Sequence, residues 1–238
     1  MKFALIGHPV AGSMSPVLFS AAYGEKYGYE LVDGSFEECW SRLLRDYEGV
    51  NVTAPYKQDA YSRCLVLSDN AAMTGAVNLV LRDGLRGYNT DVDGVVGAVK
   101  ECGLPVSSAL VVGTGGAARA AVAAALRLGL DVSVMGRNPE KVAAIEDLFG
   151  LKHHHTAAPD LVIYTLPGSA PVPSGLPLES AVVLEAEYKA PRLSKVPCRH
   201  YISGLRWLLW QAAAGYELFT GETPSVAKMD AALEHFLQ

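Results

Sequence analysis

Three strings in the first hundred residues concentrate side chains able to do chemistry. Residues 7–16 (GHPVAGSMSP) carry Ser13 and Ser15. Residues 51–57 (NVTAPYK) carry Thr53 and Lys57. Residues 75–78 (GAVN) and 87–91 (GYNTD) carry Asn78 and Asp91. Hydroxyls and a carboxamide donate and accept hydrogen bonds, Asp91 can hold a proton, and Lys57 supplies the cation. Such a set suits a small, polyhydroxylated, anionic substrate.

A second kind of signal lies at residues 113–118 (Gly113, Thr114, Gly115, Gly116, Ala117, Ala118), a G-x-G-x-x-A match. Such a match is weak alone; here it follows an apolar strand, opens a helix and is succeeded by another strand, the context of a dinucleotide site. Gly113 makes the tight turn, Gly115 lets backbone approach a pyrophosphate, and Ala118 is small enough for close helix–sheet packing. The helix start offers its free N–H groups to the anion. NAD sites present an acid at the end of the next strand, yet this chain reads Met135-Gly136-Arg137-Asn138, with Lys141 one turn further on. Arg137 suits a 2′-phosphate in charge-assisted geometry, so NADP is expected over NAD.

These residues need elements to hold them. Short strands are expected at about 2–6, 30–35 and 49–53, with helices at about 15–27 and 37–47. Ser15 is the expected N-cap of the first helix, with Pro16 at its first position. Residues 78–89 read as a hairpin turning at Asp83-Gly84. After a helix at about 91–102 the pattern changes. Apolar strands at 108–112, 131–135, 160–164 and 181–185 alternate with helices at 117–128 and 139–149, the mark of βαβ units and a parallel sheet. Two helices, about 204–219 and 224–237, close the chain. The expectation is an α/β protein of two domains. Residues 1–100 plus 204–238 form an N-terminal α/β substrate domain to which the C-terminal helices return. Residues 101–203 form a Rossmann-like, parallel-sheet dinucleotide-binding domain.

Composition narrows the partners. The chain has 238 residues, half of them hydrophobic and 19% charged, which is globular composition. Its net charge of −5 leaves no basic surplus for a nucleic-acid backbone. No apolar run approaches the roughly 18–20 residues of a membrane span. The N-terminus does not read as a secretory signal, so a cytoplasmic protein is expected. Cys39, Cys64, Cys102 and Cys198 are scattered and read as reduced thiols rather than a disulfide frame or zinc site. Adjacent His153, His154 and His155 read as surface residues, because neighbouring side chains in a strand point apart and no metal is expected. Trp40, Trp207 and Trp210 read as packing residues.

The strings GHPVAGSMSP, NVTAPYK, GAVN, GYNTDVDG and GTGGAARA, with the late pair Gly204 and Gln211, resemble the shikimate dehydrogenase family in order and spacing. The resemblance runs from Ile6 to Gly221. It implies a reversible, NADP-dependent reduction of 3-dehydroshikimate to shikimate, a step of aromatic amino-acid (chorismate) biosynthesis. Ser13 and Ser15 would bind the substrate carboxylate. Thr53, Asn78, Asp91 and Gln211 would hold the ring hydroxyls, with Tyr188 near the same group. Lys57 would be the acid/base lysine, paired with Asp91. Gly204 would lie near the nicotinamide, Arg137 on the 2′-phosphate beside Asn138, and Asp69 where some members make a cofactor contact. Trp207 stands where the family usually has methionine, with Arg206 adding a charge beside it, and the chain is shorter than most members. A quinate/shikimate dehydrogenase, a paralogue acting on another small hydroxy acid, and a non-catalytic ligand-binding module are the alternative readings. Monomer and homodimer are both compatible with the sequence.

Overall fold

A computed structural model describes residues 1–152 and 158–236, and the chain divides into two compact units. The expected surface histidines, His153, His154 and His155, lie outside the described residues.

The first unit comprises Met1–Thr90 and Gln211–Gln238. Its elements are β1 (Lys2–Gly7), α1 (Ser15–Tyr23), β2 (Gly28–Asp33), α2 (Phe36–Asp46), β3 (Gly49–Val52), α3 (Lys57–Arg63), β4 (Val66–Leu67), α4 (Asp69–Thr74), β5 (Leu79–Leu81) and β6 (Arg86–Tyr88). The strands form one mixed sheet in the order β2-β1-β3-β5-β6-β4. β1 is parallel to both β2 and β3, and β5 is antiparallel to β3 and β6. The β5–β6 hairpin appears as expected, closing through a 3-10 turn at Asp83–Leu85 with Gly84 at φ 69°. α2 begins with a capping box: Ser35 accepts the Glu38 N–H, and the Glu38 carboxylate accepts the Ser35 N–H. Its Cys39, Trp40 and Leu43 are buried with Ala4, Ile6, Val50 and Val52 on one face of the sheet.

The second unit is Asp91–Trp210. It holds α5 (Asp91–Cys102), β7 (Ser108–Val112), α6 (Gly116–Arg127), β8 (Asp131–Met135), α7 (Pro139–Phe149), β9 (Leu161–Tyr164), β10 (Val182–Glu185) and β11 (His200–Ile202). The five strands are all parallel, in the order β11-β10-β9-β7-β8, as the unbroken apolar runs predict for a sheet covered on both faces. One face packs α5 and α6, with Val95, Ala121, Ala124 and Trp207 buried together. The other carries Leu110, Val162, Tyr164 and Leu193.

Two C-terminal helices complete the chain, α8 (Gly204–Thr220) and α9 (Val226–Phe236). α9 packs against α1. The unit boundaries differ from the expected 100/101 and 203/204. Residues 91–100 go with the second unit because Val92, Val95 and Val96 pack into its core, and residues 204–210 go there because Trp207 does the same. Gly97 matters here: a Cβ at that position would stand 2.6 Å from the Trp210 Cβ. Trp40, too, is a packing residue, as expected. No described helix is long and apolar enough to cross a membrane.

Candidate active site

In the first unit, the strand order reverses about β1, with β2 on one side and β3 on the other. An α/β sheet opens a crevice at the carboxyl ends of the strands flanking such a reversal. Those ends lead into the serine string after Gly7 and the threonine–lysine string after Val52. Backbone bonds clip the two strings together, Thr53 N to Ile6 O at 2.9 Å and His8 N to Ala54 O at 3.1 Å. β5 runs antiparallel to β3, so its entry residue, Asn78, arrives at the same end, with Val52 N bonded to Asn78 O at 2.7 Å. β6 exits there too, delivering Asn89 and Thr90. Lys57, the first residue of α3, is half-buried, and its carbonyl accepts the Val77 N–H at 2.9 Å.

The structure thus gathers Ser13, Ser15, Thr53, Lys57, Asn78 and Gln211 within the first unit. Ser13 Oγ donates to Ser15 Oγ at 3.2 Å and accepts the Ser15 N–H at 3.3 Å. The Asp33 carboxylate pins this loop, taking His8 Nδ1 at 2.6 Å and Val10 N at 3.0 Å. His8 and that backbone N–H hold the Asp33 carboxyl below its ordinary range. Asn78 is 3% exposed; its oxygen accepts the Thr90 N–H at 2.8 Å, and its Nδ2 faces Thr90 Oγ1 at 3.1 Å and Gln211 Oε1 at 3.5 Å. Ser15 is not the N-cap expected of it. It is the first helical residue, Met14 occupies the cap position with no side-chain bond, and Ser13 supplies the acceptor instead.

Three residues of this cluster carried no expectation: Tyr29, Asn51 and Tyr216. The Tyr29 phenol donates to Asn51 Oδ1 at 2.7 Å, Asn51 Nδ2 donates to Asn78 O at 3.4 Å, and Tyr216 Oη donates to Ser15 O at 2.9 Å. Burial pushes both phenols above their ordinary range. The legible signal was Asn51 itself, a carboxamide between two valines in a wholly buried strand, because a buried polar group requires partners.

Asp91, Tyr188 and Gly204 belong to the second unit. Asp91 opens α5 and is half-buried. Tyr188 is half-buried, and burial with Glu187 alongside raises its phenol. Gly204 opens α8 where a Cβ would stand 2.7 Å from the Glu185 carbonyl oxygen. Asp69 is the exposed first residue of α4 in the first unit, at a helix start that favours a carboxylate.

The second sheet also reverses, at β7, with β8 on one side and β9 on the other. Gly113 follows β7 with φ 127°, a conformation open to glycine, and a Cβ there would collide with Thr165 Oγ1. Gly115 caps α6 without any side-chain bond, and Gly115 and Gly116 are exposed, with open space where a Cβ would project. The first-turn N–H groups therefore have no side-chain cap, which fits a bound pyrophosphate. Ala118 is fully buried against the sheet. A depression of about 550 Å³ is lined by Gly113, Thr114, Gly136, Arg137, Asn138 and Lys141, with Leu166 and Pro173 as apolar wall. No carboxylate lines it, and the cations in its lining, Arg137 and Lys141, suit a 2′-phosphate. Asn138 has a second duty: its Oδ1 accepts the Lys141 N–H at 3.1 Å and caps α7.

Comparison with known proteins agrees. Residues 5–80 match the model of the shikimate dehydrogenase substrate binding domain, and residues 204–234 match that of the shikimate 5′-dehydrogenase C-terminal domain. A shikimate dehydrogenase (NADP(+)) of Thermus thermophilus is 35% identical over 100% of this chain and 99% of its own. One from Methanothermobacter thermautotrophicus is 32% identical over 98% and 95%. A crystal structure of shikimate 5-dehydrogenase from Thermus thermophilus in complex with NADP(H) and shikimate superposes with a TM-score of 0.88 at 32% identity, covering 99% of both chains. Matched from end to end, the chain belongs to the shikimate dehydrogenase family.

Proposed function

We propose that this chain interconverts 3-dehydroshikimate and shikimate with NADP, within chorismate biosynthesis. The observation that carries the reading is the gathering of three separated strings at one end of the first sheet, in a chain that matches shikimate dehydrogenases along its whole length. Ser13 and Ser15 donate to the substrate carboxylate from the loop that Asp33 pins. Thr53, Asn78 and Gln211, with Tyr188, hold the ring hydroxyls. The hydride comes from, or returns to, the cofactor when bound. Lys57 gives a proton to the carbonyl oxygen during reduction and takes it back during oxidation, with Asp91 as its partner in that transfer. Gly113, Thr114, Gly115, Gly116, Ala117 and Ala118 hold the pyrophosphate, Arg137 and Lys141 the 2′-phosphate, with Asn138 ordering the helix start between them. Gly204 keeps the nicotinamide end clear of a side chain.

The protein acts in the cytoplasm as a monomer or homodimer, and its ligands are two small anions rather than a nucleic acid or a membrane. Steady-state assays with shikimate and with quinate, each against NADP and NAD, test the reading. Turnover is expected with shikimate and NADP at the highest kcat/KM of the four combinations. Absence of turnover with shikimate under either cofactor refutes it, and a higher kcat/KM for quinate reassigns the substrate. Binding of both ligands without turnover would identify a non-catalytic module.

A further inference from the structure

We infer that Glu185 and Glu187 are positioning residues for Tyr188, two carboxylates that lock the loop carrying it; this rests on the reading of Tyr188 as a group that meets the substrate ring. Residues 186–193 leave the carboxyl end of β10 without forming a helix or strand, and residues 189–192 are exposed, so apolar burial does not hold that stretch. Polar bonds do. At the loop's entry the Ala186 N–H reaches the Tyr164 carbonyl of β9 at 2.8 Å. At its exit the Glu185 side chain reaches forward along the chain. Its Oε1 accepts the Arg192 N–H at 2.7 Å, and its Oε2 accepts the Leu193 N–H at 3.0 Å and the Tyr201 phenol at 2.9 Å. Within the loop, Glu187 Oε1 accepts the N–H groups of Lys189 at 2.8 Å and Ala190 at 3.3 Å. Tyr188 stands inside both turns.

Glu185 is fully buried. Two residues beyond Val183 on the same strand, it shares the sheet face that buries Val162 and Leu193. A carboxylate there is costly unless donors surround it. An apolar side chain would pack at less cost but could not accept two main-chain N–H groups, so the carboxylate serves the loop's geometry. Arg192 extends the clasp, its Nη1 donating to the Gly168 carbonyl at 2.8 Å. The two loops approach closely there: a Cβ on Gly168 would stand 3.0 Å from the Ala190 carbonyl oxygen. A loop tied in this way has less freedom to lose when a ligand meets it.

Glu185→Gln keeps the side chain's size but turns an amide NH₂ toward a main-chain N–H. It is expected to raise the KM for shikimate about tenfold, and Glu187→Ala about threefold. NADP affinity, titrated without substrate, is expected to stay within about twofold in both, because the glycine turn and Arg137 lie at the ends of β7 and β8, with β9 between them and β10. Tyr188→Phe is expected to raise the same KM about tenfold, and each double variant to be no worse than Tyr188→Phe alone, because all three share one path. If Tyr188→Phe raises KM while either glutamate variant does not, the inference is overturned and the reading of Tyr188 stands. If Tyr188→Phe leaves KM unchanged, that reading fails and the inference falls with it. Effects that multiply in the double variants would mean that the glutamates act by another route, which overturns it. A loss of NADP affinity in step with the rise in KM would mark a merely structural clasp and also overturn it. If Glu185→Gln does not fold, Glu187→Ala, whose side chain lies on the loop, decides the matter by the same criteria.

Discussion

Lys57 sits at the first turn of a seven-residue helix whose start is tied through its own carbonyl to Val77, one residue from Asn78. The backbone therefore fixes where the ammonium begins its reach. Replacing it by alanine removes the proton carrier without disturbing that backbone bond. Lys57→Ala is expected to lower kcat by about 10²–10⁴-fold while the KM for shikimate changes little. Equal losses in both, measured by steady-state kinetics, would make Lys57 a binding residue only. The polar residues at strand ends were legible in the sequence because loops carry function and because Ser, Thr, Asn and Lys stand out beside apolar runs. Tyr29 and Tyr216 were not, because an aromatic residue in a strand or helix looks like packing. Only the fold shows their hydroxyls reaching Asn51 and Ser15.

Among the elements, the long periodic ones declared themselves: β8 and α7 fall where their patterns predict, α7 with Asn138 as its cap and Gly150 at φ 63° ending it. α3, β4 and α4 did not, because seven, two and six residues are too few to show an apolar stripe. Tertiary partners stabilise such short pieces, as when β4 adds to the sheet through β6. Between α5 and α8, Arg206 makes a two-armed pair with Glu101, its Nε on Oε2 at 2.7 Å and its Nη2 on Oε1, while Trp210 Nε1 donates to the same carboxylate at 3.1 Å. The Arg206 guanidinium, helped by that indole, holds the Glu101 carboxyl below its ordinary range. A group depressed in the folded state adds stability above its unfolded pKa, near ~4.3 for glutamate, and loses it as pH falls through the folded value. The pair is partly exposed, so its worth is under about 1 kcal/mol. Glu101→Gln is therefore expected to lower the melting temperature slightly at pH 7 and to flatten the fall of melting temperature below about pH 4. An unchanged acid limb in calorimetric scans from pH 3 to 7 would refute this role for the pair.

For the molecule as a whole, each unit has its own sheet, its own reversal of strand order and its own set of candidate ligand residues at the carboxyl ends. A ligand that binds only the folded state adds about 2.7 kcal/mol at one hundred times its Kd. NADP is expected to raise the melting temperature of the wild type and not that of Gly113→Ala, whose Cβ would collide with Thr165. Shikimate should still stabilise that variant, and a full NADP shift there, in a thermal-shift titration, would remove Gly113 from the cofactor site. By itself the sequence determined the α/β class, the parallel second sheet, the glycine turn and the acid-free strand end beside Arg137. These depend on neighbouring residues and short periods, which local physics writes directly into the chain. Tertiary structure alone decided that β5 enters where β3 leaves, that α5 and the start of α8 go with the second unit, and that the Ser15 carbonyl is held by a tyrosine 201 residues further along the chain. Those outcomes follow from strand register and from which apolar faces bury one another, and both are set by long-range packing that no local pattern encodes.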